Sequence, residues 1–228
     1  AGQFLATRAA SGKTLSALAD VVPELWGGSA DLAGSNNTTM AGAPSFLPAS
    51  LAHKEGDGPY GRTVHFGVRE HAMGGILNGI ALDGLTRPYG GTFMVFSDYM
   101  RPAVRLAALM GVGSIFVWSH DSIGVGEDGP THHGVFDLAC LRPIPNLTLM
   151  MPADENELQH MLYTALNLGG PAVLRYPRGA GCGVALDAEL KVLPVGRGEL
   201  LRAGSDLLLL PAGNRVHPAL AAADRLAR

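Results

Sequence analysis

Cysteine is nearly missing: Cys140 and Cys182 are the only two in 228 residues, and they stand far apart. That excludes a disulfide framework and a thiolate zinc site, and it makes a reducing, cytoplasmic setting the default expectation. No apolar run approaches the ~20 residues that a membrane span needs. No secretory leader is expected. Neither sign of charge dominates, since 17 Lys and Arg against 20 Asp and Glu leave a net charge of −3. The arginines are scattered rather than striped, so neither nucleic acid nor an anionic membrane is an expected partner. No G-x-G-x-x-G opens a βαβ unit, and the phosphate-loop pattern G-x-x-x-x-G-K-[ST] does not occur. Repeats and low-complexity tracts are also lacking.

Glycine, by contrast, is abundant. Its 31 residues are about double the usual share, and they cluster beside polar residues as tight loops lining a site would. The densest chemistry lies at His65-Phe66-Gly67-Val68-Arg69-Glu70-His71-Ala72. A β-rich run ends at a glycine, charge follows at once, and Ala72 to Ala81 then continues small and apolar with helical spacing. This reads as a strand giving way to a buried helix, with Glu70 at the junction. Ligands of open α/β sheets sit at the carboxyl ends of strands. A lone carboxylate at a helix head is favoured by the helix dipole and pushed towards neutrality by desolvation. Glu70 is therefore either a plain helix cap or a functional acid.

The same alternation runs along the whole chain. Residues 7–22 carry Leu15, Leu18, Ala19 and Val22 on one helical face, and Pro23 ends the helix. Residues 25–30 read as a short strand closing on the polar loop 31–37. Residues 38–61 read as loop. Strands follow at 63–66, 88–94, 114–118, 147–151 and 172–175, with 114–118 a continuous apolar run suited to burial on both faces. Helices are expected from about Ser97, with Tyr99, Ala103, Leu106 and Met110 on one face, and from Asp154. Asp154 and Glu157 form a capping-box-like pair ahead of Leu158, Met161, Leu162, Ala165 and Leu166. Strand–helix alternation of this kind predicts an α/β fold with a doubly wound parallel sheet and helices on both faces. Residues 1–178 form the expected main domain, 179–192 a linker, and 193–228 the start of a second α/β domain. There Leu207 to Leu210 reads as a buried strand and 219–226 as a helix.

Several groupings invite chemistry. Gly56-Asp57-Gly58 matches the start of a thiamine-diphosphate signature. It has no strand before it, and Asn78 follows too soon and inside a helix, so it is read as a decoy. His120, His132 and His133 with Asp121 and Asp128 lack metal-ligand spacing, and no metal is expected on this chain. Those polar strand-end loops fit better as contacts to a hydroxylated or phosphorylated substrate. Phe93, Phe96 and Tyr99 are either core or an aromatic shelf beneath a planar heterocycle.

Arg8 within Ala-Thr-Arg, Gly27 to Leu32, Phe66 to Gly74, Tyr89 to Phe93, Phe96 to Tyr99 and His120 to His132 together resemble the pyrimidine-binding domain of transketolase. From His132 on, the runs 132–139, 154–158, 175–179 and 194–198 look like the sister enzyme 1-deoxy-D-xylulose-5-phosphate synthase. The resemblance implies the thiamine-diphosphate-binding fold and gives each residue an expected role. Glu70 matches the glutamate that hydrogen-bonds the aminopyrimidine ring and favours the imino tautomer that generates the ylid. Phe93, Phe96 and Tyr99 match the pocket around that ring, and Asp31 a residue near the thiazolium. His120, Asp121, Asp128 and His132 match contacts to the sugar's hydroxyls and carbonyl, His120 and His132 with catalytic roles. Arg8, Ser35 and Arg178 match contacts to the substrate phosphate.

The synthase carries arginines where this chain has Tyr99 and Asp121, which favours two-carbon ketol transfer between phosphorylated sugars over condensation of pyruvate. A catalytically silent dimerisation or regulatory module remains as a third reading. The family holds the cofactor's diphosphate and Mg²⁺ on a separate domain, across a subunit interface. The expectation is thus half a site, completed by a diphosphate-binding domain or subunit in a dimer or heterotetramer.

Overall fold

The computed structural model describes residues 4–227. Six strands form one all-parallel sheet: β1 (Leu25–Ser29), β2 (Thr63–His65), β3 (Arg87–Phe93), β4 (Ile115–Ser119), β5 (Thr148–Met150) and β6 (Ala172–Arg175). Their order is β2-β1-β3-β4-β6-β5. The chain winds outward from β1 to β2, then returns to β3 and proceeds the other way. The reversal falls between β1 and β3, where such sheets open a crevice at their carboxyl edge.

Strand periodicity sorts the core into two layers. Along β4, Ile115 and Val117 face one side while Phe116 and Trp118 face the other. The first side is closed by α1 (Thr7–Val21) and α6 (Glu155–Asn167), through Leu15, Leu18, Leu158 and Leu162. The second is closed by α3 (Glu70–Asp83), α4 (Ser97–Met110) and α5 (Asp137–Leu141), through Met73, Leu77, Met100, Val104 and Leu141. Burying each such side chain contributes about 1.5–3 kcal/mol. A single turn, α2 (Ala33–Asn36), interrupts the expected loop after β1. Glycine sets how closely the second layer can sit: a Cβ on Gly90 of β3 would lie 2.5 Å from Leu77 Cδ1 of α3.

At the α6 entry, Asp154 Oδ1 accepts from the amides of Asn156 and Glu157, at 3.1 and 3.0 Å, as its spacing predicts. Glu157 Oε2 completes the box one residue early, on the amide of Ala153. On α4 the buried face is Met100, Ala103, Val104, Ala107 and Ala108, while Tyr99, Leu106 and Met110 are exposed. Of the face read from the sequence, Tyr99, Ala103, Leu106 and Met110, only Ala103 is buried. Close packing against α3 selects the small residues instead, since a Cβ on Gly74 would lie 2.8 Å from that of Ala103.

The stretch read as a linker is strapped to α6. Glu155 accepts from the amides of Cys182 and Gly183, His160 Nδ1 from that of Lys191, and Thr164 Oγ1 from that of Leu193. Leu207 to Leu210 form no strand and are all exposed, contrary to the sequence reading. A four-residue apolar strand needs a sheet to join, and none among the described residues adjoins it. The last helix, α7 (Val216–Leu226), begins three residues earlier than expected, and its His217 hydrogen-bonds Asp154 Oδ2 at 2.9 Å.

Candidate active site

The carboxyl edge of the sheet gathers nearly every residue singled out from the sequence. Asp31 follows β1, Glu70 follows β2, Phe93 ends β3, His120 and Asp121 follow β4, and Arg178 follows β6. Beside the crevice, a cavity of about 210 Å³ is lined by Gly28, Ser29, Asp31, Gly34, His65 and Gly67, among others. A larger one, about 320 Å³, lies at the amino edge around Glu24, Arg87 and Tyr163, far along the strands from these residues. Three residues other than Gly and Asn adopt a left-handed backbone among those described: Asp31 (φ 62°), His120 (φ 56°) and Ser122 (φ 62°). All three sit at strand ends of this edge, where backbone strain often serves function.

Glu70 is the first residue of α3, directly after Arg69 at the N-cap position, so it does not act as the cap itself. It is only 8% exposed. Among the described residues its carboxylate has no hydrogen-bond or ion-pair partner. Its oxygens are not sealed from solvent, so they are open to a hydrogen bond from a ligand.

The rings form a cluster. Phe93 and Phe96 lie parallel with centroids 5.9 Å apart. The His120 imidazole stacks on Phe93 at 3.8 Å, and His132 meets both phenylalanines edge-on. Tyr99 stands at the margin, 6.2 Å from Phe96 and mostly exposed. His120 Nδ1 lies 2.9 Å from Ser119 Oγ, and Nε2 lies 3.5 Å from Arg8 Nη1. Arginine can only donate, so Nε2 is the accepting nitrogen and Nδ1 carries the proton. Burial, followed by the Arg8 charge, lowers the His120 pKa to about 4. The ring is therefore neutral at physiological pH.

Arg8 also donates to the Ser35 carbonyl at 3.1 Å, which draws Arg8, Ser35 and His120 together. Arg178 reaches the same edge because residues 177–181 run beside residues 5–7. Thr7 Oγ1 donates to the Pro177 carbonyl at 2.7 Å, and Ala6 bridges Ala180. The Arg178 guanidinium holds the loop after β4: it donates to the Val125 carbonyl and to Glu127, and lies 3.9 Å from Asp128. Its hydrogen bond lowers the Glu127 pKa.

Asp121 departs from the sequence reading. Its side chain turns inward and pairs with Arg175 at 2.7 Å, and burial raises its pKa. Sequence reasoning missed Arg175, whose one signal was a charge closing the apolar run 172–174. It also missed Asp137, a buried carboxylate with an unpartnered Oδ2. No group of three or more His, Cys, Asp or Glu suited to a metal ion occurs among the described residues.

Fold and crevice together define a doubly wound α/β domain with an open crevice where the strand order reverses. The chain belongs to the transketolase family: residues 3–183 match its pyrimidine-binding domain. It is 54% identical to the transketolase of Mycobacterium tuberculosis over 98% of its length, and 47% identical to that of Geobacillus stearothermophilus over its full length. The transketolase likeness thus continues through the part that looked synthase-like. Among solved structures, a Pichia stipitis transketolase covers the whole chain at 36% identity with a TM-score of 0.85. The Campylobacter jejuni transketolase covers 99% of it at 35% identity with a TM-score of 0.83. Another Pichia stipitis structure, a complex with sedoheptulose 7-phosphate, covers 79% of the chain at 44% identity with a TM-score of 0.74. The chain spans about a third of the length of these curated relatives.

Proposed function

We propose that this chain is the pyrimidine-binding half of a thiamine-diphosphate-dependent transketolase that moves a two-carbon ketol unit between phosphorylated sugars. The observation that carries the reading is Glu70, a mostly buried acid without a partner among the described residues, at a helix head on the carboxyl edge of the sheet. The residues present fit an aminopyrimidine: an unsatisfied acid, and parallel phenyl rings that offer planar apolar contact. When bound, thiamine diphosphate supplies a carbon nucleophile able to carry the ketol unit.

Each residue then has a task. Glu70 would hydrogen-bond the aminopyrimidine and favour one tautomer. Phe93, Phe96 and Tyr99 would hold the ring, and Asp31 would contact the cofactor. Neutral His120 accepts a hydrogen bond or proton from the sugar, helped by His132 and Asp128. Arg8, Ser35 and Arg178 bind the sugar phosphate, for which a guanidinium fork is suited. The diphosphate and Mg²⁺ belong to another domain or subunit. The exposed face of α3 and α4, with Ala72, Gly75, Ile76, Tyr99, Leu106 and Leu109, supports a partner there in a dimer or heterotetramer. A cytoplasmic location accords with the scarcity of cysteine.

The test is Glu70→Ala in the full-length protein. Ketol transfer is expected to fall by several orders of magnitude while circular dichroism is unchanged. Unchanged transfer in a folded variant overturns the reading.

A further inference from the structure

Asp121 and Arg175 join two neighbouring strand ends at the carboxyl edge of the sheet. Asp121 follows β4 and Arg175 closes β6, and both side chains are buried, at 5% and 9% exposure. Both Asp121 oxygens are engaged: Oδ2 by Arg175 Nη2 at 2.7 Å, and Oδ1 by the Ser122 hydroxyl at 3.1 Å. Arg175 Nη2 also donates to Ser122 Oγ at 3.2 Å, and Nη1 to Met151 Sδ at 2.9 Å. The backbone follows the same seam, with the Asp121 amide donating to the Tyr176 carbonyl and the Tyr176 amide to that of Trp118. The pair therefore closes around a turn in which His120 and Ser122, on either side of Asp121, are both left-handed.

Such a turn needs outside support, because non-glycine residues do not hold that conformation by preference. The imidazole it aims is the one stacked on Phe93 and reached by Arg8. A buried ion pair is weak evidence for stability, since desolvation consumes its attraction, and its best-attested use is to fix one geometry among several. Asp137, buried nearby with Oδ2 unpartnered, brings a second negative charge towards Arg175 and makes that arginine harder to replace.

We infer that Asp121 and Arg175 are positioning residues that lock the His120 turn, and that Asp121 acts on ketol transfer through His120 rather than by touching the sugar. This rests on the proposed function of the same crevice.

The experiment compares Asp121→Asn, Arg175→Met, the double variant and Ser122→Ala in the full-length protein. Both single variants are expected to lower kcat by about ten- to a hundredfold through misplacement of His120, with the KM for a phosphorylated ketose within about twofold. The double variant should be no worse than the worse single variant, because one device has been broken once. Amide hydrogen exchange at 120–122 should quicken in all variants, and the milder Ser122→Ala keeps the comparison informative if a charge variant fails to fold. A raised KM for Asp121→Asn alone, an additive double variant or unchanged exchange overturns the inference. Absence of ketol transfer in the unmodified protein overturns the functional reading instead, and the exchange measurement still decides the clamp.

Discussion

His120 shows how one residue's surroundings fix its chemistry. Its pKa is about 4 in the fold because burial and Arg8 disfavour the imidazolium, against about 6.5 in an unfolded chain. Between those values the unfolded chain binds more protons, so stability rises with pH through that window. The contribution is complete above pH ~6.5 and is lost as the pH falls towards 4. His120→Gln is expected to flatten stability across that interval, as measured by denaturant titration at stepped pH. Arg178 is governed by a competing partner. Glu127 occupies its guanidinium and is largely exposed, and water and salt screen such a pair, so it is worth little. On the proposed function, a sugar phosphate displaces that carboxylate from Arg178. Glu127→Gln is therefore expected to lower the KM for phosphorylated sugars modestly, since the pair it removes is screened by solvent. An unchanged or raised KM would place the phosphate elsewhere.

Among the elements, α3 matters most, because it carries Glu70 at its head and packs on both β3 and α4. Two adjacent glycines on it give opposite expectations. At Gly74, alanine gains about 1 kcal/mol of helix propensity but drives a Cβ to 2.8 Å from that of Ala103, and overpacking typically costs about 1–3 kcal/mol. At Gly75, nothing lies within 4 Å, so only the gain remains. Thermal denaturation of the 228-residue chain should show Gly74→Ala destabilised and Gly75→Ala stabilised by up to about 1 kcal/mol. This pair also marks what the sequence could convey. Helix α3 was readable because Met73 and Leu77 repeat at helical spacing, and the six strands because short apolar runs ended at polar loops. The buried face of α4 was not, since periodicity registers side-chain size and the fit to α3 demanded smallness. The gathering of Glu70, Phe93, His120 and Arg8 followed from the family likeness and the rule for strand ends. The inward turn of Asp121 depends on a partner 54 positions away, which spacing does not reveal. The strap at 181–193 was hidden for a related reason, because its anchors are polar side chains of α6 gripping backbone amides.

The molecule as a whole is one layered α/β unit whose ligand edge is furnished with an acid, rings and arginines but with no metal-binding cluster among the described residues. Half of a cofactor's contacts cannot hold it tightly, since the cost of immobilisation stays the same while the gain is divided. In calorimetric titration with thiamine diphosphate and Mg²⁺, the 228-residue chain alone is expected to bind weakly, and tight binding should appear only with the complementing diphosphate-binding domain. Tight binding by the lone chain would overturn the half-site proposal.

The bridge between residues 5–7 and 177–181 places the entry to the domain directly against its exit. The backbone enters and leaves the sheet's layers through this one doorway, and Arg8 and Arg178 stand on its two jambs. A shear across it would reach the proposed phosphate contacts first, so the gap between those guanidiniums would act as a gauge of how the flanking segments are docked.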